Sequence, residues 1–193
     1  MFNNYGGIRW VECSQISIKH PTIDCWVGSP DYTRQDADGL TVGDIKGPAT
    51  LKSFCDFMEC VPMVLKDGVW IVDPEMKGYE VIAEIRENHD AGDDYYFQLV
   101  SNAILTGAKF CELTIFCPYF NELTEIKALA QTKVDEGESG YWWIAKGADE
   151  EMPYLLESGR YNNLNVIRWE VSELDKKALE TRVIEASKLL IEL

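Results

Sequence analysis

Apolar, β-branched and aromatic residues recur in short runs along the chain, and polar or glycine-containing segments separate these runs. Such runs are typical of β-strands, and they predict strands over 9–18, 23–29, 40–47, 109–117, 140–146 and 163–171. Apolar residues at helical spacing predict helices over 49–60, 93–107, 122–131 and 172–190. Segment 31–39 (DYTRQDADG) predicts a turn region, whereas residues 62–75 are ambiguous and are compatible with a hairpin around 66–68.

Two residues support the predicted ends of helices. Gly107 ends the predicted helix 93–107, because glycine tolerates the left-handed conformation of a helix C-cap. Ser172 is expected to cap the last helix, since its hydroxyl can accept a hydrogen bond from a free backbone N–H. The order of strands and helices predicts an α/β fold with a mixed central β-sheet flanked by helices. Residues 1–193 contain no repeat or long linker, so a single domain is expected.

The composition is that of a globular protein, with 46% hydrophobic and 26% charged residues. No apolar run is long enough to span a bilayer and no signal peptide is recognisable, which favours a cytoplasmic protein without membrane contact. The six cysteines form no Cys-x-x-Cys pair and are expected to be reduced, mostly buried thiols. The net charge of −15 disfavours a general nucleic-acid binder, although a nuclease that holds Mg²⁺ is itself acidic at its site.

Candidate chemistry is concentrated in residues 28–48 (GSPDYTRQDADGLTVGDIKGP). Asp31 ends one predicted strand, and Asp44 and Lys46 lie two residues apart on the next, so both point to one face. Two carboxylates and a backbone carbonyl suit Mg²⁺ or Mn²⁺, and a nearby lysine can stabilise charge on a phosphate. From the residue types alone, a turn aspartate beside a solvent-exposed Asp/Lys pair is the commoner explanation.

The same segment resembles a known nuclease signature. GSPD…GLTVGDIKGP is similar to the SPDG…GLLEIKCP signature of the PD-(D/E)xK phage recombination exonucleases of the lambda-exonuclease type. TLKSFCDFM resembles the helix that follows the lysine in those enzymes. YYFQLVSNAILTGAKFCELTIFCP resembles their YxxQVQxxMxVTG helix and the buried strand after it. The likeness covers roughly residues 9–120, in the same order.

The resemblance implies a restriction-endonuclease-like core and a metal-dependent deoxyribonuclease, an exonuclease that resects double-stranded DNA ends in phage-type recombination. Asp31, Asp44 and the Ile45 carbonyl would be ligands of Mg²⁺ or Mn²⁺. Lys46 would be the catalytic lysine, and Gln98 would face the active site. The implied partners are duplex DNA ends, a single-strand annealing protein and further copies of the chain in a trimer.

The chain departs from the family's pattern in three respects. Asp44 stands where glutamate is commoner, and Gly47 stands where the family has cysteine. The family also holds its metal with a glutamate on an upstream helix, whereas no acid precedes Arg9 here. Glu12 is the nearest acid and falls on a predicted strand, so the chain is expected to be N-terminally short.

Two alternatives to an active nuclease follow. One is a catalytically impaired nuclease-fold protein that binds DNA or a protein partner, which the missing glutamate and the acidic charge favour. The other is an unrelated α/β hydrolase or binding domain, although no GxSxG, P-loop or GxGxxG motif supports it.

Other polar and aromatic residues have ordinary structural interpretations. His20 is expected in a turn with local hydrogen bonds rather than at a metal, and His89 in a surface loop. Turn and surface positions are expected for Asp24, Asp36 and Asp38. Core packing in strands, rather than stacking on bases, is expected for Trp142, Trp143 and Trp169.

Overall fold

The structure is a computed structural model, and it describes residues 11–13 and 16–191. The strands are β1 (Val11–Glu12), β2 (Ile18–Lys19), β3 (Val27–Gly28), β4 (Tyr32–Asp36), β5 (Gly39–Lys46), β6 (Met63–Lys66), β7 (Val69–Val72), β8 (Phe110–Phe116) and β9 (Leu164–Glu170). The helices are α1 (Leu51–Met58), α2 (Gly78–Asn88), α3 (Gly92–Thr106), α4 (Leu123–Asp135), α5 (Trp142–Lys146) and α6 (Glu173–Ile191). None of the described helices combines the length and the apolar character that crossing a membrane requires.

A five-stranded sheet in the order β1-β4-β5-β8-β9 forms the centre of the fold. Both β1 and β5 pair with β4 in antiparallel fashion. Strands β5 and β8 run parallel, because the N–H of Lys109, just before β8, donates to the carbonyl of Leu40 at the start of β5. The prediction of an α/β fold with a mixed central sheet is therefore confirmed.

The chain divides into two compact units. Among the described residues, the first unit contains those up to Ile45, those of Glu75–Thr114 and those from Val166 onward. The second contains Lys46–Pro74 and Ile115–Asn165. The single domain expected for residues 1–193 stays a prediction.

In the first unit, α3 covers one face of the sheet. Leu99 of this helix is fully buried, and its carbonyl accepts the S–H of Cys111 in β8 at 3.2 Å. Tyr96, three residues earlier, stacks on Trp169 of β9 with ring centroids 5.9 Å apart. Gly107 ends the helix in the left-handed conformation (φ 72°), as predicted. The buried side chains of α3 thus pack against β8 and β9.

The second unit has its own core. Phe54, Phe57 and Met58 of α1 are buried, and the Phe54 ring meets Tyr161 edge-on at 5.9 Å. Leu123 at the start of α4 is 2% exposed. The predicted hairpin around residues 66–68 is present between β6 and β7.

Several predicted elements differ from the structure. Residues 31–39 are not mainly a turn, because Tyr32–Asp36 form strand β4 and only residues 37 and 38 turn. Most residues of this strand are polar, and its buried Arg34 pairs with Asp36 and with Glu112 of β8, so the strand lacks the alternation of apolar residues that the prediction relied on. The predicted strand 140–146 is wrong: α5 and a 3-10 turn occupy it. Strands predicted at 9–18 and 23–29 are reduced to two-residue segments in the described residues.

Helix α2 was not predicted from the sequence. Its buried residues are Val81, Ile82 and Ile85, spaced as one face of a helix, so the signal is present but short. Four charged residues in this short helix, Glu80, Glu84, Arg86 and Glu87, lower its apparent apolar periodicity.

Gly43 in β5 leads to a test of the packing between β4 and β5. A Cβ at this position would lie 1.9 Å from Cζ of Tyr32, whose side chain is buried and hydrogen-bonds Thr114 at 2.8 Å. Gly43→Ala should therefore lower the free energy of unfolding by about 1–3 kcal/mol in denaturant titrations. Gly47→Ala is the matched control, because its Cβ would meet nothing within 4 Å. Equal stability of the two variants would contradict the packing described here.

Candidate metal site

Asp31 is fixed to both neighbouring strands by its main chain. Its N–H donates to the carbonyl of Gly43 at 3.1 Å, and its carbonyl accepts the N–H of Cys13 at 2.8 Å. The side chain adds a third bond, because Oδ2 accepts the N–H of Ile45 at 2.6 Å. These bonds hold the backbone and the carboxylate of Asp31 against β5.

Asp44 is the residue of β5 just before Ile45, whose N–H holds the Asp31 carboxylate. The regular pairing of β4 with β5 ends at Tyr32 and Gly43, and the Asp31 N–H also donates to the Gly43 carbonyl, so Asp31 departs from the register by one residue, as in a β-bulge. The structure therefore places the Asp31 carboxylate beside the segment of β5 that contains Asp44.

Helix α3 contributes the amide of Gln98 to the same place. Gln98 Nε2 donates to Oδ1 of Asp44 at 3.4 Å, and Asp44 itself is only 4% exposed. Leu99, the next residue of the helix, is fully buried against the sheet, which fixes the position of the helix. The expectation that Gln98 faces the candidate site agrees with this geometry.

Lys46 is the last residue of β5, and strand alternation sets it on the same face as Asp44. Between them, Ile45 points its N–H toward Asp31. The N–H and C=O of one strand residue point to the same side of the strand, so the Ile45 carbonyl also points to the side of β5 on which Asp31 lies.

The donor atoms assembled here are hard oxygens. The carboxylates of Asp31 and Asp44 with the Ile45 carbonyl fit the preference of Mg²⁺ and Mn²⁺. An ionised carboxylate has two oxygens with about four lone-pair sites, so Asp31 can accept the Ile45 N–H and still bind a cation. Across residues 11–13 and 16–191, no group of three or more His, Cys, Asp or Glu side chains is arranged to hold a metal. A cation at this place would thus be bound by two side chains, a main-chain oxygen and water.

The predicted substitute ligand Glu12 lies in β1, but its side chain falls outside the described residues. Residues 1–10, which bear on the expected N-terminal shortness, also lie outside them.

The opposite face of the same strands carries a buried polar network. Arg34 Nη2 donates to Glu112 Oε1 at 2.5 Å, and the Tyr32 hydroxyl bonds Glu112 at 3.3 Å and Thr114 at 2.8 Å. Arg168 Nε lies 3.6 Å from the Glu112 carboxylate. Burial raises the pKa of Glu112 against the opposing effect of the two guanidinium groups, and burial likewise raises the pKa of Tyr32.

This network joins three strands of the sheet: β4 through Arg34, β8 through Glu112 and β9 through Arg168. Sequence reasoning missed it, because the segment containing Tyr32 and Arg34 was predicted to be a turn. Alternation of Tyr32, Arg34 and Asp36 is the signal that could have identified a strand with a polar buried face.

His20 and three acids outside the candidate site were also assigned positions from the sequence. The Nδ1 atom of His20 accepts the N–H of Thr22 at 3.3 Å, and its ring stacks on Trp26, in keeping with the predicted local role. Exposed positions are found for Asp24 and Asp38, whereas Asp36 belongs to β4 and pairs with Arg34 at 3.0 Å. The prediction of a turn position for Asp36 is therefore wrong.

The core position predicted for three tryptophans is correct for one of them and wrong for two. Trp169 is 4% exposed in β9, which confirms its expected core position. Trp142 and Trp143 lie in α5 with 60% and 59% of their surface exposed, so the predicted strand and core positions are wrong for both. The six cysteines are free thiols; Cys13, Cys111 and Cys117 are buried, Cys25 is exposed, and Cys55 and Cys60 are half-buried, so the expectation that most are buried is wrong.

Comparison with family models, with curated proteins and with solved structures finds no match to this chain. An interpretation of the site therefore depends on its residues, their geometry and the sequence signature.

The buried pair of Arg34 and Glu112 gives a testable expectation. Burial raises the pKa of Glu112, so the folded protein keeps this proton to a higher pH than the unfolded chain, and ionisation of the buried group costs stability as the pH rises through that interval. Arg34→Leu removes the main compensating charge and should lower the free energy of unfolding by about 3–5 kcal/mol near neutral pH. The loss should shrink at acidic pH, where the carboxyl is protonated.

The matched control is the double variant Arg34→Leu/Glu112→Leu, which removes both charges. Its loss should be smaller than that of Arg34→Leu alone, and its dependence on pH should be weaker. Denaturant titrations at several pH values measure both effects. A cost for Arg34→Leu that does not change with pH would contradict the pairing.

Proposed function

We propose that this protein is a metal-dependent deoxyribonuclease with a restriction-endonuclease-like core and a PD-(D/E)xK site. The observation that carries the proposal is the hydrogen bond from the Ile45 N–H to the Asp31 carboxylate, which places this carboxylate beside the β5 segment that contains Asp44 and Lys46. The sheet order, with an antiparallel pair followed by helix α3 and a parallel strand, supports it as well.

Asp31, Asp44 and the Ile45 carbonyl would hold Mg²⁺ or Mn²⁺. Such a cation, when bound, supplies positive charge that polarises the phosphodiester and makes a water molecule a better nucleophile. Asp31 is oriented for this role by the Ile45 N–H, and Asp44 by the amide of Gln98. Both carboxylates are thereby kept in place before substrate arrives.

Lys46 would act directly on the reacting groups. Its ammonium group can orient the attacking water and stabilise the negative charge that develops on the phosphate oxygens. The reaction would be hydrolysis, in which water adds to phosphorus and the ester bond to the 3′-oxygen breaks. A 5′-phosphate stays on the released nucleotide.

The substrate we propose is the end of double-stranded DNA, resected by an exonuclease in recombination. The acidic chain needs a local or shared basic surface for DNA, since phosphate contacts require Lys and Arg. A trimer of the chain and a single-strand annealing partner, both implied by the sequence signature, would provide such surfaces in the cytoplasm.

A second function is a nuclease-fold protein that binds DNA or a protein without cleaving DNA. Two observations favour it. No third side-chain ligand accompanies Asp31 and Asp44 in the part of the chain that the structure describes. The net charge of −15 also opposes DNA binding by a single chain.

Metal binding separates the two functions. Titration with Mg²⁺ or Mn²⁺ should raise the melting temperature, because a ligand that binds only the folded state stabilises it. Asp44→Ala should abolish this rise. Asp38→Ala, which removes an exposed acid from the same hairpin, should retain it. A wild-type protein whose melting temperature does not respond to either cation would favour the non-catalytic function.

Lys46 gives a direct test of catalysis. Lys46→Ala should abolish cleavage of linear duplex DNA while leaving the circular dichroism spectrum and the melting temperature close to those of the wild type. Lys66→Ala is the control, because this lysine is also the last residue of an antiparallel strand but lies in β6 and is exposed. Cleavage that persists in Lys46→Ala would remove Lys46 from the mechanism.

A further inference from the structure

Exposed aromatic side chains are present in the second unit, on residues that the candidate metal site does not use. Tyr141, Trp142 and Trp143 have 40%, 60% and 59% of their surface exposed. Tryptophan is usually well buried, since its large ring gains much from leaving water. Adjacent exposed aromatic side chains therefore indicate a surface that another molecule covers.

The fold holds these residues in place. Helix α4 packs on α5, and the N–H of Gly147 donates to the carbonyl of Trp143 at 2.8 Å to close α5. Lys127 of α4 donates to the carbonyl of Gly147 at 2.7 Å and also pairs with Asp149. The backbone beneath the tryptophans is thus tied to α4 on its C-terminal side.

Acidic residues flank the aromatic side chains on both sides in sequence. Glu136 and Glu138 precede the 3-10 turn that leads into α5, and residues 149–151 follow it. Segment 122–151 contains eight Asp or Glu and three Lys. Lys127 pairs with Asp149, and Lys133 pairs with both Glu136 and Glu138, so two of the three lysines already neutralise acids within the segment.

We define the aromatic–acidic surface as the set of five exposed residues Tyr141, Trp142, Trp143, Glu150 and Glu151. We propose that this surface binds an arginine- and lysine-rich segment of a partner protein. Guanidinium and ammonium groups bind over the faces of tryptophan rings, and neighbouring carboxylates pair with the same cations. The charge complementarity selects this partner, because nucleic acids and anionic membranes would be repelled by the acids.

The protein already uses this chemistry within its own fold. The Arg160 guanidinium lies 4.7 Å from the centre of the Trp70 ring, and the Arg86 guanidinium lies 4.1 Å from that of Tyr96. A partner's arginine on Trp142 or Trp143 would repeat the arrangement between molecules. The proposal is independent of the nuclease function, since no residue of the Asp31 site takes part.

The test uses the full chain and a short, fluorescently labelled peptide rich in arginine, with binding followed by fluorescence anisotropy. The wild type should bind the peptide, and added salt should weaken binding. Trp142→Ala/Trp143→Ala should weaken binding about tenfold or more, as expected for the loss of two exposed cation–π contacts. Glu150→Gln/Glu151→Gln should weaken it and reduce its dependence on salt.

The controls distinguish the partner class. Leu174→Ala, which removes an 81% exposed apolar side chain from α6, should bind like the wild type. An acidic peptide of the same length, a single-stranded oligonucleotide and anionic vesicles should not bind at the aromatic–acidic surface. Equal peptide affinity for the wild type and the tryptophan variant would overturn the proposal. Binding of the oligonucleotide or the vesicles that depends on Trp142 and Trp143 would overturn it too.

Discussion

The antiparallel register of β4 and β5 decides which side chains of this protein lie together. Side chains alternate along a strand, so a shift of one residue would move Asp44 to the opposite face, away from Asp31. Two contacts oppose such a shift: the Ile45 N–H donates to the Asp31 carboxylate, and the Tyr32 ring occupies the space above Gly43. The candidate metal site therefore depends on packing that occurs on the other side of the sheet.

The acidic side chains on the two faces of this strand pair have different surroundings. On one face, Glu112 is accompanied by Arg34 and Arg168, so the negative charge is compensated within the protein. On the other, Asp44 is 4% exposed and accepts a hydrogen bond from the Gln98 amide, while the Asp31 carboxylate accepts the Ile45 N–H. A divalent cation bound by the two carboxylates would add positive charge to this face, as the proposed function requires.

The sequence allowed prediction of elements whose burial is apolar and whose ends carry clear signals. Helix α3 with its stop at Gly107, strand β8 and strand β9 are examples. Strand β4 was missed, because its buried positions hold Tyr32 and Arg34, and polar residues lower the strand signal until their partners in other strands are known. The reverse error occurred in residues 140–146, where aromatic residues suggested a buried strand and the chain forms an exposed helix.

The candidate site was predictable to a similar extent. The spacing of Asp44 and Lys46 and the turn signal between Asp31 and β5 predicted a hairpin that brings these residues near one another. The hydrogen bond from Ile45 to Asp31 and the contact of Gln98 with Asp44 depend on the exact register and on the packing of α3, which residue types do not specify. Pairs of residues that are far apart in sequence, such as Arg34 and Glu112, likewise cannot be predicted from local sequence patterns.

The charge of −15 constrains both proposals. A nuclease must approach a polyanion, and cations bound by this chain would lower its repulsion from DNA. A metal at Asp31 and Asp44 would contribute positive charge at the scissile phosphate. A basic partner bound at the aromatic–acidic surface would make the net charge of the assembly less negative, which lowers its long-range repulsion from DNA. Acidity that opposes DNA binding by one chain is thus compatible with DNA processing by a complex.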